Sequence, residues 1–150
     1  MMAHGIPVLS LYKDTEHIVC DPGPRTISTS NDAVNLLKPV YAACMELHEE
    51  VHALLLNRSC RVIGVHKVSQ GGINGSVCDP RLILCSALLA GASRIVVSHN
   101  HPSGALRPST EDISITKKLI NAANSMDISI TDHVIISKEG YFSFADNGML

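Results

Sequence analysis

The sequence has no tryptophan, and aromatic residues make up only 3% of its 150 residues. A hydrophobic core must therefore be built from Ile, Val, Leu and Ala. The scarcity of aromatic rings also leaves few surfaces on which single-stranded nucleic acid could stack. The formal net charge of -2 provides no strong electrostatic attraction to DNA or RNA. The sequence does not exclude nucleic-acid binding, but the net charge does not support it.

Long apolar runs and targeting segments are also missing. No stretch is long and apolar enough to span a bilayer. The N-terminal segment MMAHGIPVLSLYKD lacks the basic start and the unbroken apolar run of a signal peptide. The five cysteines are odd in number and show no CxxC spacing, which argues against a disulfide framework. We expect a cytoplasmic protein without membrane contact, whose reduced cysteines pack as small hydrophobes in or near the core.

Hydrophobic residues account for 45% of the chain and charged residues for 17%, which suits one compact domain of this length. The Pro/Gly-rich segment 21–25 (DPGPR) predicts a connector. It divides the chain into an N-terminal arm, residues 1–25, and a domain, residues 26–150. A partly alternating segment, 6–13, predicts an edge strand within the arm. The arm could pair with another chain, and the oligomeric state is open.

Hydrophobic periodicity and capping residues predict the elements of the domain. Helices are expected over about 30–40, 79–91 and 109–125, and strands over about 49–57, 61–68, 94–98, 127–137 and 141–145. Asp79 and Pro80 mark the start of the second helix, and Gly91 marks its end. The third strand, RIVVS, is apolar in the way of strands that are buried on both faces. This order predicts an α/β (α+β) fold, with helices packed on a mixed sheet.

The segment SHNHPSGALRPSTED, residues 98–112, contains the residues best suited to chemistry. His99 and His101 are two residues apart, so in an extended backbone both imidazoles point to the same side. Pro102 favours extended geometry at His101. The two rings are therefore aimed at one point just past the end of a buried strand. A bare His-x-His pattern is, however, more often a pair of surface or core histidines than a metal site.

A third candidate ligand follows at the start of the next helix. Ser109 is expected to cap that helix, which puts Asp112 on its first turn and directs the carboxylate toward the preceding loop. The structural alternative is a Ser-x-x-Asp variant of the capping box, which is common. His99, His101 and Asp112 are nevertheless residue types that zinc accepts. Three protein ligands would leave a fourth position for water, as in catalytic zinc sites.

The spacing His-x-His, seven residues, Ser, two residues and Asp resembles the JAMM (MPN-plus) metalloprotease motif. The fuller string HNHPSG...PSxxD, with LLLN, DPRLIL, DHVII and YFSFADNG, is similar to the bacterial RadC-like JAB-domain family. The resemblance covers roughly residues 26–150. It implies a cytidine-deaminase-like JAB/MPN fold and one zinc ion per chain, bound by His99, His101 and Asp112. It also implies zinc-dependent hydrolysis of a peptide or isopeptide amide bond.

The motif also requires an upstream glutamate, and Glu49 and Glu50 are both candidates. In the family this glutamate lies eight residues before the Asn or Asp that ends the following Leu-rich strand, and counting back from Asn57 leads to Glu49. Strand alternation agrees, because Glu49 shares the uniformly apolar face, whereas Glu50 shares its face with His52. The resemblance implies that Glu49 acts as general base and that Ser109 donates a hydrogen bond to the oxyanion.

Two other functions stay open. The family name suggests a DNA-repair or recombination factor, which the slightly negative charge does not support. A non-catalytic MPN-type binding scaffold is the other alternative, although a scaffold has no need to keep the whole motif. The sequence does not identify the peptide or isopeptide substrate.

Three further histidines have structural interpretations. His133, which follows Asp132, is expected to make structural hydrogen bonds within a buried strand. His52 and His66 lie on predicted strands, where satisfied or exposed histidines are more common than metal ligands.

Overall fold

A computed structural model describes residues 25–71 and 78–150 of the chain. In these residues the α-helices are α1 (Ser30–Leu37), α2 (Pro80–Ala90) and α3 (Thr110–Asn124). The strands are β1 (Glu50–Leu56), β2 (Val62–Gln70), β3 (Arg94–Asn100), β4 (Ser129–Ile136) and β5 (Tyr141–Ser143). The strand predicted over 6–13, and the predicted arm through residue 24, lie outside the described residues.

The five strands form one mixed sheet in the order β2-β1-β3-β4-β5. β1 pairs antiparallel with both β2 and β3, β3 pairs parallel with β4, and β4 pairs antiparallel with β5. The parallel pair needs a long connection, which α3 provides. This mixed sheet flanked by helices confirms the predicted fold class.

Alternating side chains of the sheet contribute to two apolar layers, one on each face. On the face covered by α2 and α3, the β1 residues Val51, Ala53 and Leu55 pack with Ile83 and Leu119. We call this the α2/α3 face. On the opposite face, which we call the α1 face, the β1 residues Leu54 and Leu56 pack with Leu37 and Tyr41. Odd and even positions of β1 therefore serve different layers, which sets the surroundings of the two candidate glutamates.

The predicted capping residues are found at both ends of α2 and at the start of α3. Asp79 caps α2, Pro80 is its first residue, and Gly91 ends it in the left-handed conformation with a φ of 65°. Ser109 caps α3, and its hydroxyl accepts a hydrogen bond from the backbone N–H of Asp112. None of the described helices has the length and apolar character needed to cross a membrane.

Several boundaries differ from the prediction, and two of these differences have a clear physical cause or consequence. The first helix loses its α-helical geometry after Leu37 and continues as a 3-10 helix over Lys38–Tyr41, because Pro39 has no N–H to donate to the α-helical ladder. β3 continues to Asn100 instead of ending at residue 98, so His99 lies within the strand and not past its end.

The four described cysteines are free. Cys44 is buried, as expected for a small hydrophobe, but Cys85 is exposed on α2. The expectation that every cysteine packs in or near the core is therefore wrong for Cys85.

Candidate metal centre

The end of β3 and the first turn of α3 bring three polar side chains together on the α2/α3 face. His99, His101 and Asp112 each offer one ligand atom within 4.8 Å of the others, so the group could hold a metal ion. The Nε2 atoms of the two histidines are 3.0 Å apart. One oxygen of Asp112 lies 3.3 Å from Nε2 of His99, and the other lies 3.7 Å from Nε2 of His101.

The three side chains are largely shielded from solvent, with exposed fractions of 7%, 12% and 18% for His99, His101 and Asp112. Burial raises the pKa of Asp112, but the adjacent imidazoles of His101 and His99 outweigh burial and hold this pKa far below its usual value. The hydrogen bond to Asp112 raises the pKa of His101 against the opposing effect of burial. Asp112 is therefore an ionised carboxylate beside two imidazoles, an arrangement that attracts a cation.

The capping box of α3 also holds the carboxylate of Asp112. The backbone N–H and the hydroxyl of Ser109 each donate a hydrogen bond of 2.7 Å to Oδ2 of Asp112. The backbone N–H of Asp112 donates in return to the Ser109 hydroxyl at 3.0 Å. The structural and the metal-binding interpretations of this pair are therefore compatible, because the same bonds that cap the helix orient the candidate ligand. The oxyanion role of Ser109 stays a prediction.

A tight loop after β3 orients His101. Its Nδ1 lies 2.8 Å from the carbonyl oxygen of Ala105. A carbonyl only accepts hydrogen bonds, so Nδ1 carries a proton, and Nε2 is the ring nitrogen that can present a lone pair to a metal ion. Gly104 shapes this loop with a φ of 82° and donates its N–H to the carbonyl of His101 at 3.0 Å.

The RadC-like JAB domain family matches residues 27–149, a range that includes this whole group. The chain belongs to this family. Its relatives include a UPF0758 protein of Flavobacterium johnsoniae, 41% identical over 83% of this chain and 54% of that protein. A UPF0758 protein of Porphyromonas gingivalis is 36% identical over 99% of this chain and 66% of its own length. The UPF0758 protein lwe1562 of Listeria welshimeri is 36% identical over 93% of this chain and 58% of its own length. The chain thus spans between about half and two thirds of these relatives.

In this RadC-like JAB domain, His133 of β4 contacts the candidate ligand His99 from the side away from Asp112. Nε2 of His133 lies 2.8 Å from Nδ1 of His99, and Nδ1 of His133 lies 2.6 Å from the hydroxyl oxygen of Thr116. Burial, followed by the neighbouring His99, lowers the pKa of His133 well below its usual value. The expected hydrogen bonding of His133 is present, but the sequence did not reveal that one partner is a candidate ligand.

The two candidate glutamates of the RadC-like JAB domain lie on opposite faces of the sheet. Alternation from Val51 places Glu49 on the α2/α3 face, where its negative charge contributes to raising the pKa of His101. Glu50 lies on the α1 face, where its carboxylate accepts a hydrogen bond of 2.5 Å from Lys67. Glu49 therefore lies on the face of the sheet that carries the candidate metal centre, and Glu50 lies on the opposite face. The catalytic role of Glu49 stays a prediction.

A second group that could hold a metal ion, Cys44, His48 and Glu50, lies on the α1 face. Burial raises the pKa of Glu50, but hydrogen bonds from Lys67, His48 and His52 outweigh burial and lower this pKa to about 2. Burial and the charge of Glu50 raise the pKa of Cys44 to about 11, so the thiol stays protonated. Because Lys67 already neutralises the carboxylate, we interpret this group as a buried ion-pair cluster.

Asn100, between the two histidines, anchors the segment that leads into β1. Its Nδ2 donates to the carbonyl oxygens of Cys44, Met45 and His48 at 3.3, 3.2 and 2.9 Å. Its Oδ1 accepts a hydrogen bond of 2.8 Å from the backbone N–H of Glu50. No local pattern in the sequence indicates this role of Asn100, because its partners lie about fifty residues away in the chain.

Proposed function

We propose that this chain is a zinc-dependent metallohydrolase of the JAMM type that cleaves a peptide or isopeptide amide bond. The observation that carries the proposal is the convergence of His99, His101 and Asp112 on one shielded point. The resemblance to the JAMM motif supports the same activity. The free thiols of the four described cysteines support a reducing, cytoplasmic setting.

The residues present fit a zinc ion. Zinc binds imidazole nitrogen and carboxylate oxygen at bond lengths of about 2 Å. Two ligand atoms at tetrahedral positions around such an ion lie roughly 3.3 Å apart. The two imidazole Nε2 atoms are 3.0 Å apart, and Nε2 of His99 lies 3.3 Å from Oδ1 of Asp112, so both separations are close to this value. Three protein ligands leave one position open, as catalytic zinc sites do.

The chain's own residues provide the remaining functions. Bound zinc would supply Lewis acidity, which lowers the pKa of a water molecule and polarises the substrate carbonyl. Glu49 takes the proton of the attacking water and delivers it to the leaving amine. Ser109 donates a hydrogen bond to the carbonyl oxygen as negative charge develops there. To donate this hydrogen bond, the hydroxyl of Ser109 rotates away from Asp112. The backbone N–H of Ser109 still holds the carboxylate of Asp112 in place.

A cavity of about 600 Å³ beside Asp112 offers a path for the substrate. Cys78, Thr110, Glu111 and Lys118 contribute to its lining. The cavity presents both signs of charge and polar hydroxyl groups, which suits a peptide segment better than a purely apolar ligand. We propose it as the approach to the metal centre.

Metal content provides the first test. The chain is stripped with a chelator, dialysed against zinc chloride and assayed for bound zinc by elemental mass spectrometry. We expect one zinc ion per chain in the wild type, and none in His99→Ala or Asp112→Ala. A folded wild type without zinc would contradict the proposal.

Hydrolysis is tested with the matched variants Glu49→Gln and Glu50→Gln, which change adjacent residues on opposite faces. The probes are a peptide mixture and a set of peptides joined through lysine side chains, and new amines are counted by mass spectrometry. We expect Glu49→Gln to keep zinc and release no amine, while Glu50→Gln keeps both zinc and hydrolysis. The reverse result would assign the general base to Glu50. Zinc binding without cleavage of either probe would support a scaffold instead.

A further inference from the structure

We propose that Thr116 and His133 are positioning residues that fix the tautomer of His99, so that its Nε2 presents a lone pair to a metal ion. A relay of hydrogen bonds begins at the backbone carbonyl of Asp112 and passes through Thr116 and His133 to His99. The role of the relay in metal binding rests on the proposed function. Its hydrogen bonds can be tested without a metal ion.

The first step is the direction of the Thr116 hydroxyl. Its oxygen lies 2.6 Å from the carbonyl oxygen of Asp112, one turn earlier in α3. A carbonyl only accepts, so the single hydroxyl proton of Thr116 is donated to Asp112. The hydroxyl oxygen can then only accept a hydrogen bond from another partner. Thr116 is 2% exposed, so solvent does not compete for these bonds.

The second step concerns which ring nitrogen of His133 carries the proton. Nδ1 of His133 lies 2.6 Å from the Thr116 oxygen and must donate to it, because the hydroxyl proton is already used. His133 is 3% exposed and its ring stacks on Phe144 at a centroid distance of 4.7 Å, so burial disfavours a second proton on the ring. A neutral ring with its proton on Nδ1 has a lone pair on Nε2.

In the third step, the tautomer of His133 determines the tautomer of His99. Nε2 of His133 accepts the hydrogen bond of 2.8 Å from Nδ1 of His99, so Nε2 of His99 keeps its lone pair. That atom faces Nε2 of His101 at 3.0 Å and Oδ1 of Asp112 at 3.3 Å.

Both histidine ligands are therefore anchored on backbone carbonyls. His101 donates directly to Ala105, whereas His99 reaches the carbonyl of Asp112 through two side chains. Asp112 consequently supplies a carboxylate ligand and the acceptor that ends the relay. Groups that orient a metal-ligating histidine from behind typically affect metal affinity by about 10- to 100-fold.

The test compares Thr116→Val, which removes the hydroxyl at nearly constant shape, with Thr116→Ser, which keeps it. Nitrogen-15 chemical shifts of the imidazole rings are recorded on the metal-stripped 150-residue chain. Zinc affinity is then measured by competition with a chelator. In the wild type we expect the proton on Nδ1 of both His99 and His133. We expect Thr116→Val to lose this tautomer preference and to bind zinc about 10- to 100-fold more weakly. Thr116→Ser should match the wild type in both measurements.

A wild type in which Nε2 of His99 carries the proton would overturn the relay without any variant. Wild-type tautomers and affinity in folded Thr116→Val would also overturn it. Equal losses in Thr116→Ser and Thr116→Val would assign the effect to packing, which again overturns it. Because the tautomers are measured on metal-free protein, a chain that binds no zinc defeats the proposed function while the tautomers still decide the relay.

Discussion

The consecutive residues His99 and Asn100 organise opposite faces of the central strand β3. Nε2 of His99 lies 3.3 Å from a carboxylate oxygen of Asp112 on the α2/α3 face. The amide of Asn100 donates to the carbonyl of His48 at 2.9 Å on the α1 face. The HNH segment thus contributes to the candidate metal centre and also anchors the segment that leads to Glu49. Because the two faces are distinct, variants can separate metal binding from stability.

Replacing Asn100 tests the anchor on the α1 face. Asn100→Ala should lower the free energy of unfolding by roughly 2–4 kcal/mol, because the buried N–H of Glu50 and several carbonyls lose their partner. The measurement is urea unfolding followed by circular dichroism. The control is Asn121→Ala at an exposed position of α3, where we expect a change below about 0.5 kcal/mol. Equal changes in the two variants would show that the buried amide adds no special stability.

Glycine conformation at the loop after β3 should matter for metal binding. Gly104 has a φ of 82° and Gly148 a φ of 66°, so alanine at either position should cost about 1–2 kcal/mol of stability. A Cβ at Gly104 would meet Glu139 at an ordinary distance of 3.7 Å, so the cost lies in the backbone.

Of the two variants, only Gly104→Ala should also weaken zinc binding, because a change of this loop moves the carbonyl of Ala105 away from His101. Chelator competition and thermal unfolding on both variants provide the comparison. If Gly148→Ala weakens zinc binding equally, the loop has no specific role.

The capping boxes of α1 and α3 provide a matched pair of variants for Ser109. Ser109→Ala and Thr29→Ala each remove a side chain that accepts a hydrogen bond at a helix start, which costs about 1 kcal/mol. If Ser109 also stabilises the oxyanion, its loss should lower the rate constant of hydrolysis by about 100- to 1,000-fold. Thr29→Ala should hydrolyse the same peptide probes at the wild-type rate. Comparable rate losses in both variants would point to helix stability as the cause.

The buried Glu50 predicts a loss of stability in acid. Its pKa is 4.5 as an ordinary side chain and about 2 in the folded protein, so its contribution to stability is present above pH 4.5. The contribution is lost as the pH falls from about 4.5 to about 2, and amounts to roughly 3 kcal/mol.

Urea unfolding between pH 7 and pH 2 measures this effect. Glu50→Gln lacks the titration, so its stability should decline less steeply across that window. Glu46→Gln, at a side chain that is 61% exposed, should keep the wild-type profile. If the stability of Glu50→Gln falls with pH as steeply as that of the wild type, the titration of another group causes the loss.

Local patterns were sufficient for the helix starts and for the side of the sheet on which Glu49 lies. A cap depends on residues two or three positions apart, as for Asp79 with Arg81 and Ser109 with Asp112. Strand alternation has a period of two, so the separation of Glu49 from Glu50 could be derived from β1 alone.

The sequence by itself therefore determined the fold class, the order of elements, the common side of the two imidazoles and the cap that Ser109 forms beside Asp112. Only the tertiary structure revealed that His133 contacts His99, and that Lys67 neutralises Glu50. These contacts join residues 34 and 17 positions apart, and they depend on strand register, such as Val97 opposite His133 in the parallel β3–β4 pair. Register between separate strands follows from packing of the whole sheet, which no local periodicity encodes.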